Sequence, residues 1–255
     1  MSEPSVGLSE ESDLYVRSGA ARLWTTSSGY GIPLLLFNGG PGCDDYLAPV
    51  ARMIEDICQV IRFEPRGCGR SDWDGNYDVE TLVSDAEAIR QEYGAERVIV
   101  AGHSGGPDGA LAYALRHPSR VMGIVGIAGG RVVNDRDWHA AYDRGLDEVV
   151  EDLGGVEFMA HPDVNPHGNK SWKVYIKRPD LFREIADLQV PAVFINAEKD
   201  IRPNWPTRQL AALMPNGKYV EIPGAAHHIW LTHAEQLRHE LREAVRYVTE
   251  GGVDA

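Results

Sequence analysis

The chain has 255 residues, 43% apolar and 25% charged, which suits one globular α/β domain with a large core. Its formal charge is −13, from 25 Lys and Arg against 38 Asp and Glu, which disfavours nucleic acid and anionic membrane surfaces as partners. No apolar run approaches the roughly 18 residues of a membrane helix.

Residues 1–12 are rich in Ser and Glu and read as a leader outside the fold. Met1 to Ser5 is polar and acidic and lacks the basic region and apolar core of a secretory signal, so a cytoplasmic setting is expected. Residues 13–17 and 21–27 read as two antiparallel edge strands joined around Ser18-Gly19. Strands are predicted near 33–38, 58–64, 97–102, 122–128, 190–196 and 218–222. Runs such as Pro33-Leu34-Leu35-Leu36-Phe37 and Arg97-Val98-Ile99-Val100-Ala101 are nearly continuous in apolar residues, as strands covered on both faces of a parallel sheet are.

Leu82, Ala86, Ile89 and Tyr93 recur at helical spacing, and Gly94 follows as a stop, so a helix is predicted over 79–93. Further helices are predicted over 107–116 and 233–249. The alternation predicts a doubly wound, mostly parallel eight-stranded sheet flanked by helices, in one domain over 1–255. Residues 130–189 break the rhythm with two acidic helical patterns, Gly154-Gly155, and a Pro/His/Gly/Asn-rich segment at 161–169. They read as a small helical cap over the C-terminal edge of the sheet, where open α/β sheets bind ligands. The other reading is a long connection without lid function.

Val98-Ile99-Val100-Ala101 runs into Gly102-His103-Ser104-Gly105-Gly106, and Pro107 opens the next helix. Strand, sharp turn and helix form the context that Gly-x-Ser-x-Gly requires, so Ser104 is the candidate nucleophile. The same turn lacks the Lys of a P-loop and the Gly pattern of a dinucleotide site. At the end of the third strand, Asn38-Gly39-Gly40-Pro41-Gly42 exposes backbone N–H groups. With the N–H of Gly105 they suit an oxyanion site, Gly40 being the first choice for the second donor and Gly39 the alternative.

These segments, with Phe63-Glu64-Pro65-Arg66-Gly67-Cys68-Gly69-Arg70-Ser71-Asp72, resemble the prolyl iminopeptidase branch of the α/β-hydrolase superfamily over about 33–130 and 190–235. The resemblance implies the α/β-hydrolase fold and a triad in the order nucleophile, acid, histidine. Asp200, after the strand Val190 to Asn196, stands where the superfamily's acid is expected, with Glu198 as its rival. Pro223-Gly224-Ala225-Ala226-His227 resembles the superfamily's histidine loop, making His227 the expected general base and His228 the alternative. Three departures stand out: Asn38 for the usual His, Glu64-Pro65 for Asp-Gln, and a short cap. Asp143, Asp147, Glu148, Glu151 and Asp152 are the acidic cap residues, and none matches the family's grip on a free amino group. Their other reading is a solvated helix face.

Cys43, Cys58 and Cys68 form no CxxC pair and read as reduced thiols. His103, His117, His139, His161, His167, His233 and His239 are scattered without metal-ligand spacing, so neither metal nor other cofactor is expected. The expected activity is hydrolysis of a small-molecule ester, lactone or amide through an acyl-enzyme on Ser104. Alternatives are a prolyl iminopeptidase acting on short peptides, a receptor-like ligand-binding protein on the same scaffold, and a triad serving carbon–carbon cleavage or acyl transfer.

Overall fold

The apolar runs become strands that bury one another. In the computed structural model, which describes residues 12–149, 151, 154 and 158–252, the strands are β1 (Ser12–Ser18), β2 (Ala21–Ser28), β3 (Ile32–Phe37), β4 (Cys58–Phe63), β5 (Val98–His103), β6 (Val121–Ile127), β7 (Ala192–Ala197) and β8 (Gly217–Ile222). They form one sheet in the order β1-β2-β4-β3-β5-β6-β7-β8. β1 and β2 are antiparallel at one edge, and β3 to β8 run parallel. The order reverses around β3, whose neighbours are β4 and β5. Loops that leave β3 and β5 in opposite directions open a crevice there.

The helices are α1 (Ala48–Ala51), α2 (Val79–Glu92), α3 (Gly106–Arg116), α4 (Arg136–Glu148), α5 (Val164–Tyr175), α6 (Leu181–Asp187), α7 (Trp205–Leu213), α8 (Ile229–Thr232) and α9 (Ala234–Thr249). Strand side chains alternate between two cores, as the two-residue pleat requires. Leu35, Phe37, Val98, Val100 and Phe194 pack with α2, α3, α6 and α7. Leu34, Leu36, Ile99, Val193 and Ile195 pack on the other face with α1 and α9. The near-continuous apolar runs are therefore covered on both sides.

Helix α2 starts on a side-chain cap, in which Asp78 accepts from the Thr81 N–H at 2.7 Å, and Gly94 follows its end at φ +64°. The predicted leader falls outside the described residues, except Ser12 at the start of β1. The rhythm differs from expectation at several helices. Helix α5 begins inside the 161–169 segment, whose composition argues against a helix. Pro166 lies in its first turn, where no intrahelical partner for an N–H is needed, and Gly168 is there for contact rather than for flexibility. Helix α7 and the single-turn helices α1 and α8 occupy stretches in which the sequence pattern predicts no element.

Candidate active site

Ser104 follows β5 with φ +60°, a left-handed conformation costing about 1–3 kcal/mol for a residue with a side chain. Its N–H donates to the carbonyl of Ile127 at 2.9 Å, which ties the strained turn to the end of β6. The turn needs small neighbours. A Cβ on Gly102 would come within 2.5 Å of the Gly106 backbone, and one on Gly106 would strike the Phe37 carbonyl. Helix α3 then starts at Gly106, with its N-terminus beside the serine.

The loop after β3 lies against this turn. A Cβ on Gly105 would meet the peptide of Gly40, so the two residues approach backbone to backbone. The two predicted partners of Gly105 differ in their hydrogen bonding. The Gly39 N–H donates to the Tyr46 hydroxyl at 3.0 Å. Among the described residues, neither Gly40 nor Gly105 gives its N–H to a protein acceptor. Asn38 holds the loop from behind by donating Nδ2 to the Phe63 carbonyl at 2.7 Å. In the turn after β4, buried Glu64 accepts from the Arg70 backbone N–H at 2.5 Å and from its guanidinium at 2.7 Å. Both departures from the expected motif residues thus hold their own loops.

Asp200 and His227 come from the loops after β7 and β8. His227 Nδ1 lies 2.6 Å from Asp200 Oδ2, and both side chains are buried. A carboxylate accepts, so Nδ1 carries the proton and Nε2 keeps a lone pair. Asp200 Oδ1 accepts from the Arg202 N–H at 2.9 Å and from its guanidinium at 3.2 Å. Arg202 also grips Glu151 with two nitrogens at 2.6 and 3.0 Å. Burial pushes the Asp200 carboxyl upward, and Arg202 opposes that. Burial holds His227 well below the usual histidine range, with Arg202 and His228 adding to the effect. The rival Glu198 points elsewhere, accepting from the Gly224 N–H at 2.7 Å. The rival His228 packs edge-on against Trp230 and Tyr46.

Sequence reasoning counted His103 among the scattered histidines and passed over Tyr46. Both are buried at the centre of the site. Tyr46 Oη lies 2.6 Å from His103 Nδ1, and His103 Nε2 lies 3.1 Å from the carbonyl of His227. A carbonyl only accepts, so Nε2 is the donor and Nδ1 takes the tyrosine proton. Gly39 N–H, Tyr46 O–H and His103 N–H therefore point in one direction, from the glycine loop to the histidine loop. Burial keeps His103 well below the usual histidine range, so this neutral form persists. Asp45, in a buried ion pair with Arg62, secures the segment carrying Tyr46.

Ser104, Gly39, Gly40, Gly105, Asp200 and His227 all line one cavity of about 610 Å³. Residues of α4 and α5 line it as well. Of the five acidic cap candidates, Asp143, Asp147 and Glu148 are exposed, Glu151 is held by Arg202, and Asp152 lies outside the described residues. Cys43 also lines the cavity, but burial pushes its thiol up to about 12. Among the described residues no group of three or more His, Cys, Asp or Glu is arranged to hold a metal ion, and no helix is long and apolar enough to cross a membrane.

Residues 32–158 match a family model described as the alpha/beta hydrolase fold. A proline iminopeptidase of Neisseria gonorrhoeae is 33% identical over 111 residues, covering 37% of this chain and 32% of that protein. One from Saccharolobus solfataricus is 32% identical over 97 residues, covering 36% and 31%. The matched part of the chain spans about a third of the length of these curated relatives. Among solved structures, an E-2-(acetamidomethylene)succinate hydrolase superposes with a TM-score of 0.75 at 17% identity, over 92% of this chain and 99% of the other. A malate-bound esterase from Thermogutta terrifontis gives 0.72 at 20% identity, over 93% and 99%.

Proposed function

The chain is an α/β-hydrolase-fold protein that resembles the prolyl iminopeptidase branch of that superfamily, and on this premise we propose that it is a serine hydrolase acting through an acyl-enzyme on Ser104. The observation that carries the proposal is the Asp200–His227 pair, whose geometry leaves His227 Nε2 unprotonated in the cavity that Ser104 lines. His227 accepts the Ser104 proton as Oγ attacks the carbonyl carbon. The oxyanion is met by the N–H groups of Gly40 and Gly105, since Gly39 is already engaged by Tyr46. Collapse expels the leaving group, which takes the proton from His227. Water, activated by the same histidine, then frees the acid.

Within this class, a small-molecule ester, lactone or amide is favoured over an N-terminal proline. An aminopeptidase needs carboxylates free to hold an ammonium group in the cavity, whereas the acidic residues described in the insertion are exposed or already engaged. We read α4 to α6 as the cap that shapes this choice.

Ser104→Ala is expected to lower kcat on short-chain aryl esters by at least about 10⁴-fold while leaving the fold intact. It should also abolish labelling by a fluorophosphonate probe. Retention of most activity would remove Ser104 from the mechanism. Turnover of a proline arylamide but of no aryl ester would restore the peptidase reading.

A further inference from the structure

Arginines that leave bulk water normally take a carboxylate with them. In this chain Arg62, Arg66, Arg90, Arg178, Arg202 and Arg242 are buried or half-buried, and each holds an Asp or Glu side chain. Arg131 is half-buried as well, yet among the described residues no carboxylate lies within ion-pair distance of its guanidinium. The guanidinium carbon instead lies 3.8 Å from the ring centroid of Trp138. Both residues line the cavity that holds Ser104.

The backbone fixes this position. Arg131 follows the turn after β6, where a Cβ on Gly129 would collide with the Ser104 carbonyl, so the segment runs directly past the nucleophile. The Arg131 N–H donates to Asp108 Oδ1 at 2.8 Å, anchoring it to the first turn of α3. Asp108 is the carboxylate whose charge acts on this guanidinium. Its carboxylate spends an oxygen on that backbone bond and stands outside ion-pair range of the guanidinium. Burial also pushes its pKa up to about 7, which weakens its charge as a counter-ion.

A guanidinium stacked on an indole has its face occupied and its edges open. Its edges carry the N–H donors, in a planar fork that matches a carboxylate. We propose that Arg131 is the specificity-determining residue of this cavity and binds a carboxylate carried by the substrate, remote from the bond that Ser104 attacks. The substrate class is then a monoanionic acyl ester, lactone or amide, such as the half-ester of a short dicarboxylic acid. This deepens the serine-hydrolase reading and rests on it for the reaction, but not for the binding.

The test compares the mono-p-nitrophenyl ester of glutaric acid with neutral p-nitrophenyl butyrate, and monomethyl succinate with dimethyl succinate as ligands of Ser104→Ala. The wild-type enzyme is expected to favour the charged ester, mainly through KM. Arg131→Gln should lower that charged-to-neutral ratio on the order of 10- to 100-fold, the usual scale for losing a charged hydrogen bond. Arg131→Lys, which keeps the charge without the fork, should recover part of it. Trp138 fluorescence should report monomethyl succinate binding to Ser104→Ala and its loss on adding Arg131→Gln. A folded Arg131→Gln enzyme with an unchanged ratio, or a wild-type enzyme with no charge preference, overturns the proposal while sparing the hydrolase reading. Arg131-dependent binding without turnover of any ester upholds it and removes the hydrolase reading instead.

Discussion

The Tyr46 hydroxyl does two things at once. It receives the Gly39 N–H and gives its proton to His103, whose other nitrogen holds the His227 carbonyl. Tyr46→Phe removes one oxygen and leaves a buried donor and a buried acceptor without partners. The expected cost is about 1–3 kcal/mol of stability, read by urea unfolding. Because both ends of the relay belong to proposed catalytic loops, kcat should fall more than KM rises, and a variant equal to wild type in both would dismiss the relay. This role was not legible in the sequence. His103 fills the variable position of Gly-x-Ser-x-Gly, and its partners lie 57 and 124 positions away. The strained turn at Ser104 was legible because its requirement is local, with small residues two positions to either side. Arg202 and Arg131 were not, since what sets each apart is the presence or absence of a distant carboxylate.

At the scale of elements, most parallel strands could be read because they are nearly continuous in apolar residues, whereas β8 carries Lys218 and Glu221 and is half-exposed; the predicted bounds differ from the observed ones by a residue or two. Helix α5 could not be read, because Pro166, Gly168 and Asn169 look like a loop unless the surface it packs on is known. That surface is the glycine loop after β3. Asn165 Nδ2 donates to the Pro41 carbonyl at 2.8 Å, and a Cβ on Gly168 would come within 2.6 Å of the Pro41 ring and 3.0 Å of Tyr77. Neither neighbour is a flexible chain end. Gly168→Ala should therefore push α5 and the Gly40 peptide apart, costing about 1–3 kcal/mol despite the better helix propensity of alanine. Activity should fall with it. A variant more stable than wild type in thermal unfolding would mean that the contact is slack.

At the scale of the whole molecule, buried titratable groups set a pH dependence of stability with opposing parts. His103 and His227 are held neutral by burial, with folded pKa values well below the usual range. Once unfolded they bind protons below pH ~6.5, so stability falls on acidification by about 1.4 kcal/mol per pH unit for each. Asp108 acts the other way. Its folded pKa, raised to about 7, lies above its unfolded value, so its contribution is complete below about pH 4 and is lost as pH rises to 7. Asp108→Asn should accordingly stabilise the protein by a few kcal/mol at pH 8 and progressively less toward pH 5. Urea unfolding at several pH values checks this, and a pH-independent difference would contradict it.

The attachments of the segment between β6 and β7 bear on how such a protein can be rebuilt. Asn165 and Gly168 seat it on Pro41, beside the proposed oxyanion donor, and Glu151 ties it to Arg202, which also holds Asp200. It is consequently not an interchangeable cassette. A chimera that imports another segment here to change substrate must also supply partners for positions 41 and 202, or it leaves the proposed catalytic acid beside an unbalanced arginine and the glycine loop without its outer wall.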